Sequence, residues 1–148
     1  MNDLIKPVLL VDADACPVKN IIVSLAKEFQ LDVFMFFDTA HEYEDGYSTS
    51  IQLDKGFDSV DYAIVNRART NDIVITQDYG LASMALGKGA QALHTSGRIF
   101  QDDNILGLLT RRAIGKKTRH KHMKGPKKRT PEDDQRFESA LRSLINNI

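Results

Sequence analysis

Three aspartates stand where a carboxylate can do chemistry. Asp12 ends the apolar run Val8-Leu9-Leu10-Val11, and Asp78 follows the run Ile73-Val74-Ile75-Thr76. Asp61 lies in the first turn of the helical pattern that precedes the second run, and Asp14 and Asp58 lie close to these in the chain. Carboxylates gathered within a few ångströms repel, and at an effective dielectric near 20 one pair ~4 Å apart costs about 4 kcal/mol. Such a cluster either holds protons or shares a cation. Oxygen-only ligands suit Mg²⁺ or Mn²⁺ rather than zinc or copper. An ion of that kind keeps several waters, can activate one as a nucleophile, and neutralises a phosphate oxygen as the P–O bond breaks. The chemistry expected is phosphodiester hydrolysis, with Asp12, Asp61 and Asp78 holding the metal, Asp58 as a further ligand, and Asp14 or Asp58 orienting water. The structural alternative is a set of unrelated caps: Asp14 and Asp58 at helix starts, and Asp78 capping a helix that begins at Tyr79.

The acids meet only if the elements around them share one edge. Val8–Val11 reads as a buried strand with Asp12 at its end, and Pro17 suits the first position of a helix. Over residues 17–30, Val18, Ile21, Ile22, Leu25, Ala26 and Phe29 recur at helical spacing. The run 31–37 is a second buried strand, completing a βαβ unit. Residues 38–50 read as a polar loop, and 47–53 as a short edge strand. Residues 57–69 read as a helix capped by Asp58, with Asp61 in the place of a capping-box acid. The run 73–76 is a third buried strand, 81–86 a short helix closed by Gly87, and 90–94 a fourth strand. Thr95 to Arg98 is a loop, and a helix begins at Asp102 or Asp103. In a parallel sheet, strand C-termini and the first turns of the following helices lie along one edge, which is where open α/β sheets bind ligands.

The chain is long enough to bury one core without disulfides. Its single cysteine, Cys16, excludes an internal disulfide, makes a structural zinc site improbable, and reads as a small buried residue. No signal peptide or membrane-length apolar run is visible, so the protein is expected to be soluble and cytoplasmic. The net charge of zero hides a division. Residues 1–103 carry eight Lys/Arg against sixteen Asp/Glu, whereas 104–130 carry ten cations and no acid. The basic arm at 115–130 presents Lys116, Lys117, Arg119, Lys121, Lys124, Lys127, Lys128 and Arg129, with His120 and His122 among them. It is expected to grip RNA or another polyanion through charge, with strong salt dependence and no sequence specificity, since the arm has no aromatics to stack on bases. Arg98 is a further candidate phosphate contact. His41 and His94 have ordinary structural readings. Thr130-Pro131-Glu132-Asp133 starts a final helix over 131–147, whose stripe of Phe137, Ala140, Leu141, Leu144, Ile145 and Ile148 is expected to dock on the body.

These segments resemble a known family. Val-Asp-Ala-Asp-Ala-Cys-Pro-Val-Lys at 11–19, Gly-Phe-Asp-Ser-Val-Asp at 56–61, Asp-Ile-Val-Ile-Thr-Gln-Asp-Tyr-Gly-Leu-Ala at 72–82 and Lys-Gly-Pro-Lys-Lys-Arg-Thr at 124–130 look like the YaiI/YqxD family of bacterial proteins, related to the PIN-like nuclease fold. The resemblance implies that Asp12, Asp61 and Asp78 coordinate Mg²⁺ or Mn²⁺ for RNA cleavage. PIN nucleases usually add an acid on an early helix; here that helix offers only Glu28, at its far end, and Asp14 or Asp58 would substitute. An apolar strand followed by Asp-x-Asp also resembles haloacid-dehalogenase-like phosphatases, in which Asp12 would be the nucleophile, Asp14 the general acid/base, Thr76 the second-motif hydroxyl and Asp102-Asp103 late metal ligands. Against this, Gly-Arg-Ile-Phe before Asp102 reads as a poor buried strand.

The expectation is therefore one three-layer α/β/α domain over residues 1–148, PIN-like, with a mostly parallel sheet. Its function would be that of a divalent-metal-dependent nuclease or phosphodiesterase on RNA. The alternative is a nucleic-acid-binding or assembly module on the same fold without catalysis.

Overall fold

A computed structural model of the chain describes residues 6–38, 43–54, 59–101 and 128–148. Its elements are β1 (Leu9–Asp12), α1 (Lys19–Phe29), β2 (Val33–Phe37), β3 (Thr49–Gln52), α2 (Val60–Arg67), β4 (Ile73–Ile75), α3 (Tyr79–Gly87), β5 (Gln91–Leu93), β6 (Ile99–Phe100) and α4 (Pro131–Asn146). The six strands form one sheet in the order β3-β2-β1-β4-β5-β6. All pairings are parallel except β5 with β6.

Both faces of the sheet are covered, which is why β1 and β4 read as unbroken apolar runs. The pleat sends Leu9, Val11, Ile73 and Ile75 to one face, against Ile22, Leu25 and Ala26 of α1 and Phe137, Leu141 and Leu144 of α4. It sends Leu10, Phe36, Val74 and Ala92 to the other, against Val60 and Ile64 of α2 and Leu81, Ala82 and Ala85 of α3. The result is the expected three-layer α/β/α arrangement. No helix among the described residues is long and apolar enough to cross a membrane.

Local details differ from the expectations. Helix α1 begins at Lys19, not at Pro17, which occupies a turn. Its N-cap has no side-chain bond; instead the Lys19 ammonium donates to the carbonyls of Cys16 (3.0 Å) and Ala13 (3.4 Å). Helix α2 is capped by Ser59, whose hydroxyl accepts from the Tyr62 N–H at 3.1 Å. The cap is therefore Ser59, one residue later than the Asp58 expected from sequence. Gly87 lies inside α3, which is closed by Lys88. Helix α4 has a complete capping box between Thr130 and Asp133, with Pro131 at its start. Strand β6 is a correction: Ile99–Phe100 pairs antiparallel with β5, and Phe100 is only 2% exposed. A strand this short gives no periodicity to read. The helix expected from Asp102 or Asp103, and Asp58 itself, lie outside the described residues.

Candidate functional site

Between β1 and β4 the strand order reverses direction. In open α/β sheets, the crevice beyond the carboxyl ends at such a switch point is where ligands bind. Leu10 pairs with Val74 and Val11 with Ile75, so one step further on Asp12 stands beside Thr76. Both lie two residues beyond side chains that point to the α2/α3 face, and strand periodicity turns them to that same face. The register, set by the apolar pairs, thus delivers a carboxylate and a hydroxyl to one point.

Thr76, only 1% exposed, uses its hydroxyl twice. It donates to Asp12 Oδ2 at 2.9 Å and accepts from the Asp78 N–H at 2.9 Å. Asp78 is the N-cap of α3, its Oδ1 accepting from the N–H groups of Gly80 (2.8 Å) and Leu81 (3.3 Å). The capping role considered from sequence is therefore realised. The cap bonds engage Oδ1 and fix where the group sits. Asp14 does not cap α1; its Oδ2 accepts from the Asp38 N–H at 2.7 Å, tying the turn after β1 to the end of β2. Asp61 lies in the first turn of α2, as expected.

Asp12 senses this company. Burial pushes its carboxyl from 3.8 up to about 6, and the negative charges of Asp61, Asp78 and Asp14 push in the same direction, against the opposing hydrogen bond from Thr76. Three of the other four acids singled out from sequence, Asp61, Asp78 and Asp14, are thus near enough to act on Asp12. Among the described residues, no group of three or more His, Cys, Asp or Glu is already arranged to hold a metal ion. The donor chemistry nevertheless fits Mg²⁺ or Mn²⁺. All the donors are hard oxygens, burial and the neighbouring acids disfavour the charge on Asp12, and Mg²⁺ commonly takes only one or two direct carboxylates while keeping its waters.

Other candidates fall elsewhere. Glu28 is exposed and pairs with Arg142 of α4 at 2.5 Å, away from the acids. Cys16 is buried, and burial pushes its thiol pKa up, the opposite of a reactive thiolate. Arg129, expected to hold phosphate, is instead a clasp between the loop after β5 and α4: it donates to the Thr95 carbonyl at 2.8 Å and to Asp134 Oδ1 at 2.6 Å. Lys128 and Arg98 are exposed. Lys116, Lys117, Arg119, Lys121, Lys124 and Lys127 lie outside the described residues.

Sequence alone did not single out two features of this edge. One is the bridging role of Thr76. The other is a cluster of three rings, in which Tyr79, His94 and Phe100 stand with centroids 5.7 to 6.2 Å apart. Both depend on register between strands far apart in the chain, although His94 after β5 stands in the same relation to its strand as Thr76 does to β4.

Comparison with known proteins places the chain in context. Residues 10–147 match a family described as "Uncharacterized BCR, YaiI/YqxD family". A UPF0178 protein of Lachnoclostridium phytofermentans is 53% identical over 145 residues, covering 95% of this chain and 97% of its own. A UPF0178 protein of Clostridium acetobutylicum is 49% identical over 141 residues, covering 93% and 95%. One of Ruminiclostridium cellulolyticum is 50% identical over 139 residues, covering 93% and 91%. No solved structure matches.

Proposed function

The chain belongs to the YaiI/YqxD family, and from that premise we propose that it is a divalent-metal-dependent nuclease or phosphodiesterase of PIN-like type acting on RNA. One observation carries the reading. At the switch point of a parallel sheet, Asp12 is held by Thr76 and is made harder to ionise by burial and by Asp61, Asp78 and Asp14. A purely structural set of caps has no need to place three further acids within electrostatic reach of a half-buried carboxyl.

In this proposal Asp12, Asp61 and Asp78 hold Mg²⁺ or Mn²⁺, with Asp58 as a further ligand. When bound, the ion supplies charge neutralisation at the phosphate and an activated water. Thr76 keeps Asp12 turned toward the crevice. Asp78 is fixed at the same edge by its cap bonds. Asp14 or Asp58 orients the attacking water. Arg98, Lys128 and the basic arm, from Lys116 to Lys127, contact the phosphate backbone. The acidic body draws the cation and the basic segment draws the polyanion, so each charge meets its partner.

The alternative is a nucleic-acid-binding module on the same fold; what favours it is that no metal cage stands ready among the described acids. The phosphatase reading is weakened by β6. Because that strand is antiparallel to β5, the chain leaves Phe100 heading away from the edge where Asp12 lies.

The test is cleavage of single-stranded RNA by purified protein with Mn²⁺, compared with Asp12→Asn. The variant should lose cleavage and keep RNA binding. Cleavage unchanged in Asp12→Asn would assign the activity elsewhere. Binding without any turnover would leave the module, and hydrolysis of small phosphomonoesters but not RNA would restore the phosphatase.

A further inference from the structure

The carboxyl edge does not end at the acids. Ile75 pairs with Leu93, and the Thr76 N–H donates to the Leu93 carbonyl at 3.1 Å. One step on, His94 stands beside Thr76 as Thr76 stands beside Asp12. Adjacent strands are about 4.8 Å apart, so two spacings, ~10 Å, separate Asp12 from His94 along this row. Ala92 shares the α2/α3 face with Val74, and the period of two puts His94 on it as well. Tyr79, directly after Asp78, completes a pair of rings with centroids 6.2 Å apart. Phe100 backs both from below, edge-on, at 5.7 Å from Tyr79 and 5.9 Å from His94.

Neither Tyr79 nor His94 is fully buried, whereas Phe100 is. The His94 ring is fixed. Its Nδ1 accepts from the Ser96 N–H at 3.0 Å and meets the Ser96 hydroxyl at 2.9 Å, which leaves Nε2 to carry the proton in the neutral ring. Burial, with Arg98 and Arg129 close by, lowers its pKa and keeps it neutral. Arg98 follows His94 by four residues in the loop between β5 and β6 and is exposed, while Arg129 is held by Thr95 of the same loop and by Asp134. A polar-edged aromatic pair, rigidly backed, with an exposed arginine in the loop that follows it and one strand beyond a candidate phosphodiester site, has the composition of a single-strand groove.

We propose that Tyr79 and His94 form a base-stacking subsite that seats one unpaired nucleobase of single-stranded RNA beside the acid crevice, with Arg98 contacting the adjoining phosphate. This rests on the phosphodiester reading for the substrate class and adds its form: the strand must be unpaired where it meets the protein. Duplex RNA, whose bases are already stacked on one another, is a poor ligand for this edge.

The experiment measures binding rather than cleavage. A short single-stranded RNA, the same strand with one abasic position moved stepwise along it, and its duplex are titrated with Ca²⁺ in place of Mn²⁺. At one position the abasic strand should bind about tenfold more weakly than the intact strand. Tyr79→Ala and His94→Ala should remove that difference, while Tyr79→Phe, which keeps the ring, should retain it. Arg98→Ala should weaken intact and abasic strands alike. Thermal melting of each variant separates loss of the subsite from loss of the fold, and Tyr79→Phe keeps the test valid if the alanine variants melt early. Equal affinity for intact and abasic strands at every position, or for strand and duplex, would overturn the subsite, as would discrimination unchanged in folded Tyr79→Ala. Base discrimination that persists in a protein showing no cleavage with any metal would sustain the subsite and remove the hydrolytic reading.

Discussion

The Thr76 hydroxyl donates to Asp12 Oδ2 at 2.9 Å across 64 residues of chain, and the same oxygen accepts the backbone N–H of Asp78. One buried atom thus couples the ends of β1 and β4. Thr76→Val keeps the volume and removes both bonds. It should cost about 1–3 kcal/mol, since a part-buried N–H and a half-buried carboxyl each lose a partner. It should also push the Asp12 pKa further up, because the Thr76 bond is what opposes burial there. Thr76→Ser should restore most of both. Denaturant unfolding followed from pH 4 to 8 measures the two effects together.

Asp12 makes stability fall with rising pH. Its folded pKa, about 6, lies above the ordinary 3.8. Its favourable contribution is therefore complete below pH ~4 and is lost as pH rises through ~6. By neutral pH this difference amounts to at most about 3 kcal/mol, reduced toward 1–2 by solvent at a site that is only partly buried. Asp12→Asn should accordingly raise the melting temperature at pH 7.5 and change it little at pH 4. Under the metal proposal, Mn²⁺ should stabilise the wild type more at pH 7.5 than at pH 5, as the proton and the ion compete.

Asp78 can be separated into its two roles. Asp78→Asn preserves an acceptor for Gly80 and Leu81 and should leave stability within about 0.5 kcal/mol, because Asn caps as well as Asp. Asp78→Ala should cost about 1 kcal/mol. If the carboxylate holds a metal, both variants should lose Mn²⁺ binding, read by calorimetry. Loss in Asp78→Ala alone would assign the residue to capping only.

Gly97 tests how α4 is seated. Its φ is +95°, and a Cβ there would lie 2.8 Å from the backbone carbonyl of Arg136 and 3.1 Å from the Phe137 nitrogen. Neither backbone atom can give way as a flexible side chain would. Gly97→Ala should destabilise by about 2 kcal/mol or more, through strain at positive φ and overpacking together. Thermal melting would show it, and a variant as stable as wild type would mean that the loop stands clear of the helix.

Removing residues 116–127 takes away six cations. RNA affinity should fall, and the slope of log K against log salt should flatten by up to about 4 for a single strand. An unchanged slope would take the arm out of the interface.

Most of the architecture is legible in the chain because two-sided burial leaves unbroken apolar runs at β1, β2 and β4, and one-sided burial leaves helical stripes at α1 and α4. The expectation that Asp12 and Asp78 share one edge follows from those runs, and that Asp61 joins them follows from the helical pattern of α2. What stays hidden is whatever register decides. Thr76 looks like the last residue of a strand until Leu10 is known to face Val74, and His94 looks ordinary until Leu93 is known to face Ile75. Single-residue choices between neighbouring caps, Ser59 against Asp58, are settled by backbone geometry that pattern does not carry. Arg129 is indistinguishable in sequence from the other cations of its arm; its partners, Thr95 and Asp134, identify it as a clasp.

The placement of β1 also bears on how the molecule is made. Of the described strands, β1 is synthesised before the others, yet it ends inside the sheet, flanked by β2 on one side and by β4 on the other. Its second border stays open until residue 75 has been synthesised, so half of its backbone waits unpaired through much of translation. Closing that gap is a long-range event of the kind that slows folding and invites aggregation. A nascent chain halted between β3 and β4 is thus the state most exposed to wrong partners, and it is a state in which the pocket around Asp12 does not yet exist.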